Sequence, residues 1–105
     1  MFQIVNKGVI MNRFSILQDT KECYVCGTTQ NIHIHEVFYG RNRQNSIKDG
    51  CCAYLCGKHH NQSNSGVHFD KKLDMMLKEQ MEICWCKYYN KTTEDFRKRY
   101  YCNYL

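Results

Sequence analysis

The stretches Cys23-Tyr-Val-Cys26 and Cys56-Gly-Lys-His59 each carry two potential metal ligands separated by two residues. This spacing lets the chain turn back so that both side chains of a pair reach one ion. Two such pairs of thiolate and imidazole ligands are what a tetrahedral zinc ion needs. The spacing therefore predicts a structural Zn²⁺ bound by Cys23, Cys26, Cys56 and His59. The alternative is that they are four unrelated side chains, with the cysteines reduced.

Four more histidines lie close to these pairs. His33 and His35 alternate with isoleucines between the pairs, which places both on the same face of a strand. His60 directly follows the second pair, and His68 comes shortly after it. His35 on a strand and His60 on a facing helix can hold a catalytic metal between them, with His68 returning from the following loop. His33 can be a ligand, a group beside the ligands or the general base. The alternative is that these are hydrogen-bonded structural histidines.

The size and the cysteine content narrow the class of protein. At 105 residues the chain forms one domain at most. Its eight cysteines fit either disulfides in a secreted protein or thiolates on a metal in the cytosol. Met1–Thr20 has one lysine, one arginine and no long apolar run, which is not the pattern of a signal peptide. No stretch approaches the roughly 18 apolar residues that would span a membrane. These features favour metal binding over disulfides.

The formal net charge of +5 permits a polyanionic partner without requiring one. Basic side chains near the metal-binding pairs are what a surface that follows DNA phosphates would use. If the partner is a nucleic acid, the expected phosphate contacts are Arg41, Arg43, Lys48 and Lys58. Arg41 and Arg43 are suited to clamp phosphates bidentately. The alternative is that they are solvated charges that keep a small domain soluble.

The residues between and after the pairs predict the order of the elements. Ile32–Tyr39 is rich in β-branched and aromatic residues and predicts a strand. Gly40–Asp49 is polar and basic, which predicts a loop or wide hairpin connection. Cys51–Leu55 is a short apolar run that predicts the second strand. A helix is expected to start within Cys56–Asn64.

The C-terminal third predicts two helices. Apolar residues at steps of three and four over residues 69–88 indicate an amphipathic helix of about five turns. Asp70 is a suitable N-cap for it, and Asn90 ends it. A capping pattern that starts at Thr92 predicts a last helix ending near Tyr101. The whole is expected to be a single α+β domain over residues 21–105.

Met1–Thr20 shows no pattern that pairs it with the rest of the chain. We expect an extended or partly disordered N-terminal arm, from which Phe14, Ile16 and Leu17 dock on the core.

The order of knuckle, strand, loop, strand and helix, with ligands at both ends of the hairpin, resembles the HNH (ββα-metal, or His-Me finger) nucleases. Four segments carry the resemblance: Cys-Tyr-Val-Cys-Gly from residue 23, His-Ile-His-Glu-Val-Phe-Tyr-Gly from residue 33, Tyr-Leu-Cys-Gly-Lys-His-His-Asn from residue 54 and Gly-Val-His-Phe-Asp from residue 66. They look like small HNH-type proteins encoded in bacteriophage and prophage genomes. The resemblance implies a zinc-stapled ββα core with two C-terminal helices packed on it.

The resemblance also implies a function and residue roles. It implies a DNA endonuclease that hydrolyses phosphodiester bonds in the cytoplasm of a bacterial host cell. His60 matches the helix histidine that binds the catalytic Mg²⁺, Mn²⁺ or Ni²⁺. His35 and Glu36 fall where the family has a metal ligand followed by the general base. Glu36 thus stands at the base position, where it could serve as the base or as a ligand, although a carboxylate is a weaker base than imidazole near neutral pH. The alternative is that Glu36 is a surface carboxylate or one that lies beside the ligands.

Two departures from the family pattern define the alternative function. Glu36 replaces the usual histidine base, and Gly50-Cys51 stands about where the middle asparagine belongs. They favour an inactive module that binds nucleic acid or a host protein, for example an inhibitor of a bacterial defence system. The three histidines His35, His60 and His68 together favour catalysis.

Overall fold

The structure centres on a two-stranded antiparallel sheet that carries candidate ligands on both strands. It is a computed structural model and describes residues 3–5, 8–10 and 13–105. In chain order the elements are β1 (Gln3–Val5), β2 (Gly8–Ile10), β3 (Ile32–Glu36), a 3₁₀ helix (Gly40–Asn42), α1 (Arg43–Asp49), β4 (Cys52–Cys56), α2 (Gly57–His60), α3 (Lys71–Tyr89) and α4 (Thr93–Tyr100). The central sheet pairs β3 with β4. The predicted α+β class is confirmed.

The β3–β4 register places Ile32 opposite Cys56 and Glu36 opposite Cys52. Every residue of β4 is buried, as expected for an apolar strand that is covered on both faces. On β3 only His35 is fully buried. The predicted strand pair is confirmed, although β3 stops at Glu36 and does not continue to Tyr39.

β1 and β2 form an antiparallel hairpin in which Gln3 lies opposite Ile10. They fall within the predicted N-terminal arm, of which positions 1, 2, 6, 7, 11 and 12 lie outside the described residues. At residues 3–5 and 8–10, paired strands replace the predicted extended or disordered chain.

Part of the predicted arm docks on the domain at residues 14–17. Ile16 and Leu17 lie against the core, as expected. The backbone N–H of Ile16 donates to the carbonyl of Gly50 at 2.9 Å. The ring of Phe14 fills the space that a Cβ at Gly50 would need. Phe14, Ile16 and Leu17 therefore pack against the domain, as expected.

Residues 40–49, predicted as a loop, form the 3₁₀ helix and α1. The sequence shows no apolar period here because buried polar side chains hold the helices to distant backbone. Asn42 Nδ2 donates to the carbonyl of Tyr100 at 3.1 Å, and Ser46 Oγ donates to the carbonyl of Cys51 at 2.8 Å. α1 ends at Gly50, whose φ of 75° suits glycine and whose N–H returns to the last carbonyls of the helix. Tertiary contacts thus override a weak local propensity.

The predicted C-terminal helices are confirmed together with their caps. The side chain of Asp70 accepts from two backbone N–H groups at the start of α3. Asn90 ends α3 with a left-handed φ of 55°. Thr92 and Asp95 form a complete capping box at the start of α4. In the described part of the chain, none of the helices combines the length and the apolar character needed to cross a bilayer.

Asp49, at the end of α1, joins this helix to α3 and α4. Its carboxylate accepts from Trp85 Nε1 at 2.9 Å and from the hydroxyl of Tyr100 at 2.7 Å. The guanidinium of Arg99 donates to the same carboxylate through two nitrogens, at 2.6 and 2.8 Å. The carbonyl of Asp49 accepts from the hydroxyl of Tyr89 at 2.7 Å. Four side chains of α3 and α4 therefore donate hydrogen bonds to one buried residue of α1.

We expect Asp49→Ala to lower the free energy of unfolding by about 3 kcal/mol, because it leaves buried donors without an acceptor. Urea titration measures the change. Glu94→Ala is the matched control, because Glu94 pairs with Arg97 on the surface, where both side chains are about half exposed. The control should change stability little, since exposed ion pairs contribute little. Equal losses for the two variants would contradict a central role for Asp49.

Candidate metal centres

Cys23, Cys26, Cys56 and His59 converge in one cluster whose ligand atoms all lie within 4.8 Å of one another. The two sulfurs of Cys26 and Cys56 are 3.8 Å apart. His59 Nδ1 lies 3.7 Å from the sulfur of Cys23 and 3.3 Å from that of Cys56. In a tetrahedral zinc site the ordinary bond lengths place neighbouring ligand atoms roughly 3.5–3.8 Å apart. The cluster could therefore hold a metal ion such as zinc, as the spacing predicts.

Two local structures bring these ligands together. The first pair lies on a turn in which the N–H of Gly27 donates to the carbonyl of Cys23 at 2.8 Å. Gly27 has a φ of 77°, a conformation that costs glycine little. The second pair lies where β4 meets α2, with Cys56 as the N-cap of the helix and His59 within its single turn. The turn and the strand–helix junction thus supply one pair each.

The pKa of one cysteine of the cluster, Cys23, is shifted in the opposite direction from that of Cys51 in the core. Burial alone would raise the pKa of the Cys23 thiol, but backbone amides of Cys56, Cys26 and Val25 lower it to about 6. This favours the thiolate, which is the form that binds metal. By contrast, burial raises the pKa of Cys51 to about 12. All eight cysteines lie within residues 13–105 and are free in this structure.

His35, His60 and His68 form a second cluster, with ligand nitrogens within 4.8 Å of one another. The Nε2 atoms of His60 and His68 are 3.1 Å apart. His33 is not one of these three but touches them, because its Nδ1 lies 2.8 Å from Nδ1 of His60. Metal–nitrogen bonds of ordinary length place neighbouring imidazole nitrogens roughly 3 Å apart. The sequence therefore identified both the three candidate ligands and the histidine beside them.

Each histidine of the second cluster is placed by a different element. His33 and His35 lie on the same face of β3, and His60 ends α2. His68 follows α2 in a loop that folds back, so that its N–H donates to the carbonyl of His60 at 3.2 Å. Gly66 makes this return possible, since a Cβ there would lie 2.6 Å from the same carbonyl oxygen.

Two imidazoles of the cluster, those of His35 and His60, are neutral at neutral pH because their pKa values are lowered. Burial, reinforced by the neighbouring His60, His68 and Lys78, lowers the pKa of His35 to about 3. Burial, with His68 and His33 nearby, lowers the pKa of His60 to about 4. His35 is buried and its Nε2 has no hydrogen-bond partner. This fits a metal ligand, because coordination satisfies the lone pair of a buried nitrogen.

Glu36, expected to be the general base, does not join the histidine cluster. Alternation along β3 puts it on the face opposite His35. There it forms ion pairs with Arg13 and with Arg43, whose Nε lies 3.4 Å from a carboxylate oxygen. In this structure Glu36 thus forms ion pairs that tie residue 13 and α1 to β3, which favours the non-catalytic alternative that the sequence left open.

The four basic residues predicted to contact DNA have different surroundings. Arg41 is exposed, and its guanidinium lies 4.0 Å from the centre of the Tyr101 ring. Arg43 is half-exposed and shared with Glu36. Lys48 on α1 and Lys58 on α2 are exposed. Their DNA contacts stay a prediction.

Lys78 on α3 lies beside the histidine cluster, although no sequence pattern singled it out as a site residue. Its Nζ donates to Asp74 at 2.9 Å and to the hydroxyl of Tyr39 at 3.3 Å. The ring of Tyr39 lies 6.0 Å from that of His35. Burial alone would lower the pKa of Lys78, but Asp74 and Tyr39 raise it, so the ammonium stays charged. The only signal in the sequence was the four-residue spacing of Asp74 and Lys78, which indicates a helical pair but not its position beside a site.

Comparison of this chain with protein-family models, with curated proteins and with solved structures gives no match. Function is therefore argued from the two clusters and their surroundings.

Proposed function

We propose that this protein is a metal-dependent endonuclease of the HNH type, which hydrolyses phosphodiester bonds in DNA. The observation that supports this most is the convergence of His35, His60 and His68 within 4.8 Å, from a strand, a helix and the following loop. β3, β4 and α2 follow the strand–strand–helix order of a ββα-metal core, with the Cys/His cluster beside it. In this proposal the Cys/His cluster holds structural zinc and the histidine cluster does the chemistry.

Three histidines bind the catalytic ion in this proposal, and His33 positions one of them. When bound, the ion stabilises charge on the phosphoryl oxygens and lowers the pKa of a bound water. Nε2 of His60 faces His68, which leaves its Nδ1 to share a hydrogen with His33 at 2.8 Å. A hydrogen bond at the far nitrogen fixes the tautomer and the ring orientation of a metal-binding histidine. His33 is therefore a positioning residue.

The donor set favours a transition metal. Imidazole nitrogen suits Zn²⁺ and Ni²⁺, whereas Mg²⁺ takes oxygen ligands. Within residues 13–105, the ligands of this cluster are histidines alone. Glu36, the carboxylate next to it in sequence, is paired with Arg13 and Arg43. Of the ions that the resemblance implies, Ni²⁺ fits the cluster, Mn²⁺ fits less well and Mg²⁺ does not fit.

The charge around the cluster suits an anionic substrate. Neutral ligands leave the full charge of a divalent ion at the site, while the nearby Lys78 is compensated by its ion pair with Asp74. A phosphodiester anion is attracted to such a site, and a low-dielectric surrounding strengthens the attraction. The charge is thus arranged for binding and stabilising phosphate.

A plasmid-nicking assay on zinc-loaded protein tests the proposal. Ni²⁺, Mn²⁺, Zn²⁺ and Mg²⁺ are added separately, and the metal content of the protein is measured alongside. We expect nicking with Ni²⁺, less with Mn²⁺ and little with Mg²⁺. No nicking with any of these ions, from protein that retains its zinc, would refute the proposed activity.

Substitutions at His33 and Glu36 separate their roles. We expect His33→Ala to lower the nicking rate by about 10- to 100-fold, because His60 loses the hydrogen bond that orients it. Glu36→Gln should change the rate little, since Glu36 lies on the opposite face of β3. Initial rates at saturating metal measure both effects. The reverse result, a strong loss only for Glu36→Gln, would restore Glu36 as the base.

One observation favours a second function, an inactive module that binds nucleic acid or a host protein. At the position where the resemblance implies the base, Glu36 is occupied by two arginines. Two results together would support this function: the unchanged protein nicks DNA with none of the metals, and His60→Ala binds the partner as tightly as the unchanged protein does.

A further inference from the structure

Tyr101 adopts a backbone conformation that is unfavourable for a bulky side chain. It is the C-terminal cap of α4 with a φ of 74°, in the left-handed region. Glycine or asparagine usually takes this position because a large side chain is strained there. The ring is nevertheless 60% exposed to solvent. A strained residue whose ring is not used for packing points to a role at the surface.

The Tyr101 ring is paired with a cation and held in place from below. The guanidinium of Arg41 lies 4.0 Å from the ring centre. Asn42, the next residue, donates to the carbonyl of Tyr100 at 3.1 Å. Asn45 donates to the carbonyl of Arg99 at 3.3 Å. These two amides fix the end of α4 against the segment that carries Arg41.

A second exposed aromatic residue lies on the same segment, next to the histidine cluster. Tyr39 is two residues before Arg41 and is 45% exposed. Its ring centre lies 6.0 Å from that of His35 and 6.3 Å from that of His68. Lys78 Nζ lies 4.4 Å from the Tyr39 ring centre. Two exposed tyrosines therefore lie near Arg41: Tyr101 contacts its guanidinium, and Tyr39, next to the histidine cluster, precedes it by two residues.

We propose that Tyr39, Arg41 and Tyr101 form a stacking platform that binds unpaired nucleotides of single-stranded DNA. Exposed aromatic rings stack on bases whatever the sequence, and neighbouring cations bind the backbone phosphates. A continuous duplex does not offer its base faces, so it would engage only the cations. The inference rests on the proposed function in taking DNA as the ligand, and it specifies a substrate with a single-stranded segment beside the cut phosphate.

Binding without catalysis tests the platform. Fluorescence anisotropy at fixed salt, with zinc-loaded protein and no second metal, measures the affinity for a labelled single strand of about 15 nucleotides and for its duplex. We expect tighter binding of the single strand and about tenfold weaker binding by Tyr101→Ala. Tyr88→Ala is the matched control, because Tyr88 is also 60% exposed but lies on α3. Tyr39→Ala removes the other ring of the platform and should also weaken binding of the single strand.

Tyr101→Gly distinguishes binding from a role in the fold. Glycine relieves the left-handed strain, so the melting temperature should rise by a few degrees while single-strand affinity falls. Two results would overturn the platform. One is that Tyr101→Ala binds the single strand as tightly as Tyr88→Ala, and the other is that the unchanged protein binds duplex and single strand equally well. The nicking assay tests the proposed nuclease activity separately. If the protein never nicks DNA but Tyr101→Ala loses affinity for the single strand, the platform is supported and the nuclease is refuted. Nicking that is unaffected by loss of Tyr101, with affinity also unchanged, supports the nuclease and refutes the platform.

Discussion

Removal of zinc from the cluster of Cys23, Cys26, Cys56 and His59 is expected to unfold residues 13–105 cooperatively. Zinc sites of this kind contribute on the order of 10 kcal/mol to folding. Domains of this size are stable by only about 5–15 kcal/mol in total. The cluster also joins the turn that begins at residue 23 to β4 and α2. A two-stranded sheet alone is too weak to keep these segments together. Circular dichroism during chelation, with the metal content measured in parallel, follows the transition.

A pair of cysteine variants controls for the loss of a thiol. Cys26→Ser removes a ligand and should lower both the zinc content and the stability. Cys102→Ser removes a thiol that is equally exposed but lies outside the cluster, so it should change neither. A circular dichroism spectrum that stays unchanged after zinc is verifiably removed would contradict a structural role for the metal.

The features that the sequence predicted correctly are those governed by local spacing. The two-residue gap in Cys23–Cys26 and in Cys56–His59 allows a compact turn that does not depend on the rest of the fold. The Cys/His cluster could therefore be predicted from the spacing alone. The caps at Asp70 and Thr92 depend on backbone groups within three residues, and they too are present. In both cases the partners are neighbours in the chain.

The features that were missed depend on distant partners. α1 is held by side chains such as Asn42 that bind the backbone of α4, which no local pattern reveals. Lys78 lies near the histidine cluster through Tyr39, whose hydroxyl accepts from its Nζ at 3.3 Å, so its spacing from Asp74 indicated a helical pair and no more. Glu36 is different. The family pattern suggested Glu36 as the base, although the alternation of side chains along a strand already placed it on the face away from His35.

His60→Ala is expected to reduce metal-dependent nicking by more than about a hundredfold. Loss of a residue that merely orients a ligand costs about 10- to 100-fold, and His60 is proposed to be the ligand itself. Its ring also contacts both neighbours, with His33 at 2.8 Å and His68 at 3.1 Å, so its removal disrupts the whole cluster. Initial nicking rates, and the affinity for Ni²⁺ measured by calorimetry, report the loss.

The position of His60 next to His59 makes the control decisive. His60→Ala must keep its tightly bound structural zinc, because otherwise the loss of nicking would reflect unfolding. Asn61→Ala is the matched variant, since Asn61 is exposed and is the next residue along the chain. It should keep both zinc and nicking. If His60→Ala retains zinc and still nicks DNA, then His60 is not a ligand, and the convergence of the three histidines reflects hydrogen bonding rather than catalysis.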